Sequence, residues 1–452
     1  LFLYCRFVRD ILNPYFLSLS ISFIRTTVPL MPAQWMAQGD RQKMATTSEA
    51  NENIQPLWQI VSLADYALPA APTREAAAKG VTALWRLIRS GDSKQQAPER
   101  AQDQLLTFSE AQLSRMVPAI DWHLCAESLD VELEDWPEQK EQHSPIRFFI
   151  GPPYGGHADM LRLWAKIRRW SVIEPPTPEQ ILAQNENWLS GWSEHERPWV
   201  LPSLERCDLR HADGLTVVRR FFEEAVSGRL GFGLIGCDSW AWSFFQKVWS
   251  VPQPETLTLQ AFDSQRLKAY FREMAFSSVL GPLRYRESES GRDVLPTSDT
   301  EAQTPSTTSP FLKQLAAHSR GILGVAWMYW RNSLCVEPDQ TPESDPHADT
   351  AEYPVPKNTI WVRAGLKEPV VPLGPTQDIA FVLHCLLLHN GLSVDLLVEL
   401  LPLSRGVVTA TLFLLASAGF VEDCNNSWRV SALGYPVVRQ FLKSNGYMVD
   451  LF

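Results

Sequence analysis

A chain of 452 residues, 45% hydrophobic and 20% charged, is long enough for two to four domains and apolar enough to bury a proper core. Its net charge of −10 argues against a protein whose main task is gripping a nucleic-acid backbone, which needs a basic surface. The seven cysteines are scattered, odd in number and without a C-x-x-C pair, so they argue against a disulfide framework or zinc site and fit free thiols in a reducing, cytoplasmic setting.

The chain opens on "LFLYCRFVRDILNPYFLSLSISFIRTTVPL". Arg6 and Arg9 precede an apolar run from Tyr15 to Ile24, as in a signal peptide, but the run is short for a membrane span and no A-x-A site follows. Met31, Met36 and Met44 each offer a start, and the stretch before them is read as a mis-set start. Residues 1–56 are therefore taken as a leader, polar and disordered from 32 onward. Residues 57–140 read as a helical region. Thr73 would cap a helix with Val81, Leu84, Leu87 and Ile88 on one face, Ser109 would cap "EAQLSRM", and Ile120, Leu124, Leu129, Leu133 and Trp136 would share a third face.

From residue 141 to 264 strand-like runs alternate with helices, the mark of an α/β layer fold. The strand "IRFFI" runs into a Gly/Pro loop and a helix reaching about Trp170. "WSVIEPP" is a short strand. "TPEQILAQNENWLSGW" is a helix with Thr177 as cap and Pro178 as its first residue. "PWVL" is a buried strand, and "TVVRRFFEEAV" a helix capped by Asp213 and stopped by Gly228. "GFGLIGCDS" and "TLTLQAF" are strands on either side of the helix "WAWSFFQKVW", and Asp263 caps the helix that follows. Residues 265–335 read as a helical lid whose Ser/Thr/Pro/acidic insertion, 286–310, lacks the apolar content to pack. Residues 336–377 are an acidic, Pro-rich linker and extended connector. In 378–449, three helices, a strand–turn–strand at Asn425–Asn426 and a final helix follow the order of a winged helix-turn-helix.

Within "FFIGPPYGGHADML" the spacing G-x-x-x-x-G runs from Gly151 to Gly156, with Gly155 inside it. A phosphate loop uses backbone N–H groups and a helix N-terminus, then a Lys for the β and γ phosphates and a Ser/Thr for Mg²⁺. Here those two places hold His157 and Ala158. The strand "WVL" should end in acids that hold the metal, but Pro202 and Ser203 stand there, with Glu205 two residues late and Asp208 later still. Asp238, flanked by Cys237 and Ser239, ends the next strand where a polar group would touch a γ-phosphate, and Arg320 is the one charge near the Gly321 turn of the lid. A hydrolase triad from Ser239 with His157 or His211 is the competing arrangement, but G-C-D-S-W is not a G-x-S-x-G elbow.

This order of elements resembles the AAA+ and STAND class of P-loop NTPases over residues 145–335, with an appended winged helix. The resemblance implies a three-layer α/β core, a helical lid and a nucleotide site at Gly151, Gly155, Gly156, His157, Glu205, Asp238 and Arg320. With the Lys, the Ser/Thr and the acids displaced, it implies a regulatory or scaffolding pseudo-ATPase that holds ATP or ADP weakly and works through a protein partner. The alternative is a DNA-binding regulator that reads with Arg405, Thr409 and Arg429. Against it, residues 378–449 carry Arg405, Arg429, Arg439 and Lys443 against Asp378, Asp395, Glu399, Glu422 and Asp423, four positive to five negative.

Overall fold

The residues described in this computed structural model are 56–70, 105–136, 145–185, 187–190, 192, 198–248, 255–276, 283–296, 308–337, 359–372 and 374–452. Expectations for the start and leader up to residue 55, the helix from Thr73, the tract 297–307 and the linker 338–358 fall outside the described residues.

Local sequence accounts for most boundaries. A short strand, β1 (Ile60–Ser62), precedes β2 (Leu106–Thr107), so the region read as helical also contributes to sheets. Helix α1 (Glu110–Met116) starts at a capping box in which the Ser109 hydroxyl accepts from the Gln112 N–H and the Gln112 side-chain Oε1 accepts from the Ser109 N–H. In α2 (His123–Glu132) the buried residues are Cys125, Ala126 and Leu129, while Leu124 faces solvent, one position out of the predicted stripe. Strand β3 (Ile146–Gly151) leads into α3 (His157–Arg168), and β4 (Ser171–Val172) follows. The helix expected from Thr177 is two pieces, α4 (Pro178–Leu182) and α5 (Asn187–Ser190), because Gln184 turns left-handed at φ 52°. After β5 (Trp199–Leu201), α6 (Thr216–Val226) has no side-chain cap; Asp213 accepts instead from Gln184 Nε2 at 2.8 Å.

Strand β6 (Gly233–Asp238) passes directly into α7 (Ser239–Val248), and β7 (Thr256–Leu259) leads through a short loop into α8 (Ser264–Phe276), capped by Asp263 as expected. The tract predicted not to pack begins folded. β8 (Arg284–Glu287) pairs in a sheet, and Val294 and Leu295 are buried, two apolar anchors that a composition average hides. Helices α9 (Pro310–His318) and α10 (Leu323–Ser333) form the predicted apolar pair, followed by β9 (Leu334–Val336). The connector contains β10 (Thr359–Val362), which is hydrogen-bonded to β8 and β9. The last elements are α11 (Thr376–Leu388), α12 (Val394–Leu400), α13 (Arg405–Ser417), β11 (Val421–Cys424), β12 (Ser427–Val430) and α14 (Tyr435–Ser444). Asn425 and Asn426 both take positive φ between the two strands, as a tight hairpin turn requires.

The main sheet runs β1-β7-β3-β6-β5-β4, parallel throughout except for β1. All six residues of β6 are buried, as expected of a parallel strand covered on both faces. Alternation sorts the strands. Phe149, Val200 and Leu234 face the layer of α3, whereas Phe148, Ile150, Leu201, Ile235 and Cys237 face the layer of α6 and α7. Gly236 has no room for a side chain, since a Cβ there would lie 2.3 Å from the Pro202 carbonyl. The connection after β3 thus crosses one face and that after β6 the other, so the carboxyl ends of these adjacent strands form a topological switch point, where open α/β sheets bind ligands. The chain is a mixed α/β protein with a parallel sheet, the architecture that a P-loop NTPase-like core has. The region expected to be a helical lid also contributes β8 and β9 to a second, four-stranded sheet, β2-β9-β10-β8. Among the described residues no helix is long and apolar enough to cross a membrane.

Candidate functional site

The switch point is filled from within. Gly151 ends β3 in register with Asp238 at the end of β6. A Cβ on Gly151 would meet the His157 side chain at 2.8 Å, so the first residue of α3 folds back over the loop. His157 is 4% exposed, and its Nε2 lies 3.7 Å from Glu205 Oε1, an electrostatic contact longer than a hydrogen bond. Glu205 arrives two residues after the expected place, yet the single 3-10 turn Leu204–Arg206 brings it back to the strand end. Fully buried, it accepts from the Asp238 N–H at 3.1 Å. Burial pushes its carboxyl up, but the His157 imidazole and the Asp238 N–H outweigh that and hold it below the usual range. Asp238 caps α7, accepting from the Trp240 N–H at 2.9 Å. Asp208 and Asp238 are both pushed well above the carboxylate range, first by burial and then by the Glu205 charge. Asp238 Oδ2, Asp208 Oδ1 and His157 Nε2 have no hydrogen-bond partner, which marks the cluster as polar and enclosed rather than solvated.

The loop is closed over by protein. Gly156, with φ 71°, stands at the N-cap of α3, and a Cβ on it would lie 2.0 Å from the Trp122 ring, so an indole packs directly on the loop backbone. The Gly324 N–H donates to the Tyr154 carbonyl at 3.2 Å, and the Tyr154 hydroxyl donates to the Val430 carbonyl at the end of β12. Pro152 and Pro153 are buried and supply no N–H. A Cβ on Gly155 would meet the Pro152 carbonyl at 2.8 Å.

A second layer ties the C-terminal helices to the same strand ends. The Arg210 N–H donates to His389 Nε2 at 3.3 Å, and its guanidinium lies 3.4 Å from His384 Nδ1. Burial first, then the Arg210 charge, pushes His384 down to about 3 and His389 down to about 4, which keeps both rings neutral acceptors near pH 7. Ser239 donates to Asp450 Oδ2 at 2.6 Å, and Arg439 Nε donates to Asp450 Oδ1 at 2.8 Å.

Gly151, His157, Glu205 and Asp238 therefore converge, with Gly155 and Gly156 in the adjoining loop. Arg320 joins the outer layer: its Nε donates to the Phe452 carbonyl at 2.7 Å. The competing triad does not form, because Ser239 faces Asp450 and His211 pairs at the surface with Asp213, 3.7 Å away. Arg405 is ion-paired with Asp395 and Arg429 with Glu422; Thr409 is half-buried. The spacing marks Asp208 as a displaced acid but gives no signal for Trp122, His384, His389 or Asp450. They lie up to 211 residues from their partners, and a lone buried His or Trp in a helix pattern carries no spacing signal. Among the described residues no group of three or more His, Cys, Asp or Glu is arranged to hold a metal.

No protein-family model matches the sequence, and no curated protein matches it. Among solved structures the chain is similar to the RuvB Holliday junction branch migration motor of Thermotoga maritima, with 12% identity and a TM-score of 0.26 over 78% of this chain and 98% of that one. It is similar to a Walker-type ATPase of Pyrococcus abyssi, with 11% identity and a TM-score of 0.27 over 70% and 95%. It is also similar to Cdc6p of Pyrobaculum aerophilum, with 13% identity and a TM-score of 0.25 over 77% and 100%. Overlaps this loose do not bear on ligand or reaction.

Proposed function

We propose that the chain is a regulatory or scaffolding pseudo-ATPase of AAA+/STAND type. Its nucleotide position is occupied by its own side chains, and it acts by conformational state and by binding a protein partner. The carrying observation is the enclosed His157–Glu205–Asp238 contact under a loop on which Trp122 packs. Hydrolysis of a nucleotide needs a cation on the β and γ phosphates and ionised oxygens on Mg²⁺. Here the position of the Lys is a buried imidazole directed at Glu205, Ala158 offers no oxygen, and Asp208 and Asp238 favour the protonated form. ATP or ADP would have to displace Trp122 and Tyr154, so any binding is weak.

The C-terminal order of three helices, hairpin and helix supports a winged-helix module, and it is what keeps a DNA-binding reading in view. Arg405 and Arg429 are each neutralised by an acid, and α13 bears no other charge, so we assign the module to protein contact. Six described cysteines, five of them buried, are free thiols, which supports a cytoplasmic site of action.

The test is calorimetric titration of the full chain with ATP and ADP, with and without Mg²⁺, alongside a phosphate-release assay. No turnover is expected from the chain or from His157→Lys, and no Mg²⁺-dependent gain in affinity. Mg²⁺-dependent phosphate release by the unmodified chain overturns the proposal.

A further inference from the structure

The segment after α14 has no regular secondary structure, yet it is bound like a peptide in a groove. Its side chains alternate: Asp450 is 3% exposed, Leu451 69% and Phe452 2%. An extended strand that sends alternate side chains into pockets is a recurring mode of peptide recognition. The pocket for Asp450 is a built carboxylate receptor. Oδ2 accepts from Ser239 Oγ at 2.6 Å and from Tyr435 OH at 3.2 Å, and Oδ1 accepts from Arg439 Nε at 2.8 Å. Arg439 Nη2 also donates to the Asp450 main-chain carbonyl at 2.7 Å, so one guanidinium reads both side chain and backbone. Trp240 Nε1 donates to Tyr435 OH at 3.2 Å and orients it. Two residues on, the Phe452 ring packs on Tyr66 with centroids 4.6 Å apart, and Arg320 Nε donates to the Phe452 carbonyl at 2.7 Å.

The groove residues come from separate parts of the fold. Tyr66 follows β1, Ser239 opens α7 at the end of β6, Arg320 lies between α9 and α10, and Tyr435 and Arg439 belong to α14. Two guanidiniums and two hydroxyls converge on one short acidic-x-aromatic segment that lies outside any helix or strand. We infer that this groove is a recognition site for an extended Asp-x-Phe peptide, filled in cis by Asp450–Phe452, and that the segment is a releasable strap fastening the C-terminal helices to the core. A peptide of the same pattern on another protein chain would compete for it. The inference is independent of whether a nucleotide binds at Gly151–Gly156.

The experiment uses the full chain and a fluorescent peptide with the sequence of residues 445–452, followed by anisotropy. The wild-type chain, its groove already occupied, should bind the peptide weakly. The doubly substituted chain Asp450→Ala/Phe452→Ala should bind it saturably and at least about tenfold more tightly, and a peptide with Asp450→Asn should lose about tenfold or more of that affinity, the loss of one charge-assisted hydrogen bond. Arg439→Lys, which removes the two-pronged contact, should weaken peptide binding to the doubly substituted chain. A folded variant, checked by circular dichroism, that binds no better than wild type overturns the inference. Should the double variant fail to fold, hydrogen exchange on the wild-type chain decides. Release predicts that the amides of 447–452 exchange faster than those of α7 and α14, and equal protection of all three shows a fixed core segment and refutes the strap.

Discussion

The buried His157–Glu205 contact makes a stability prediction whose sign depends on pH. In the folded chain Glu205 is held below its ordinary range, so its contribution to stability is present above the unfolded carboxyl value of about 4.3 and is lost as pH falls through the folded value. His157→Ala removes the opposing ring and leaves a fully buried carboxylate with backbone N–H groups, its own and that of Asp238, as the remaining counterweight. Breaking a buried pair in this way costs about 3–5 kcal/mol. The carboxylate has an escape: it can take up a proton, which at pH 7 costs about 1.4 kcal/mol for each unit above 4.3, or about 3.7 kcal/mol in all. The penalty within the variant is therefore capped near 3.7 kcal/mol at pH 7, near 1 kcal/mol at pH 5, and vanishes by about pH 4, while the stabilisation that wild-type Glu205 draws from its lowered value adds to the difference and is lost only as pH falls through that value. The cavity left by the ring adds a term that does not vary with pH. Urea denaturation of wild type and His157→Ala at pH 5, 6 and 7 measures the difference. The same substitution in a Glu205→Gln background isolates the coupling and should show no pH slope. A stability loss that is the same at pH 5 and pH 7 would refute an ionised Glu205 held by His157.

Asp208 has the opposite sign. Burial raises it, so wild-type stability should fall as pH climbs above about 3.9 towards the folded value; Asp208→Asn should match wild type near pH 4 and gain on it at neutral pH, by up to about 1.4 kcal/mol per unit. Gly156→Ala places a Cβ on the Trp122 ring at a left-handed position, so a loss above about 1 kcal/mol is expected in thermal melts, partly recovered when Trp122→Ala is added. Arg405→Ala breaks only an exposed pair with Asp395 and should change stability by less than about 1 kcal/mol. In a duplex-binding titration it should leave both affinity and salt slope unchanged; a slope reduced by about one would restore the DNA-reading alternative.

Much of the frame was legible from local pattern. Apolar runs marked β3, β5 and β6, alternation marked β7, and Ser109, Thr177 and Asp263 capped helices where they stand before apolar periods. Alternation is blind to strands as short as β1 and β2, which exist because a neighbouring edge supplies their hydrogen bonds. Low average hydropathy likewise concealed Val294 and Leu295, since burial acts on individual side chains rather than on window means.

What the amino-acid sequence determined alone was chemical inventory and order: a glycine-spaced loop without its Lys and Ser/Thr, a strand without its terminal acids, a C-terminal region with no excess of positive charge. What only the tertiary structure decided was where the displaced groups go. Glu205 returns to the strand end because one 3-10 turn consumes the two-residue offset. Trp122, Arg210, His384, His389 and Asp450 reach the site across long separations because the parallel sheet aligns its strand ends and the C-terminal helices pack against them. Spacing along a chain encodes contacts only within a helix, strand or turn; contacts between elements depend on which faces bury each other, a property of the packed whole.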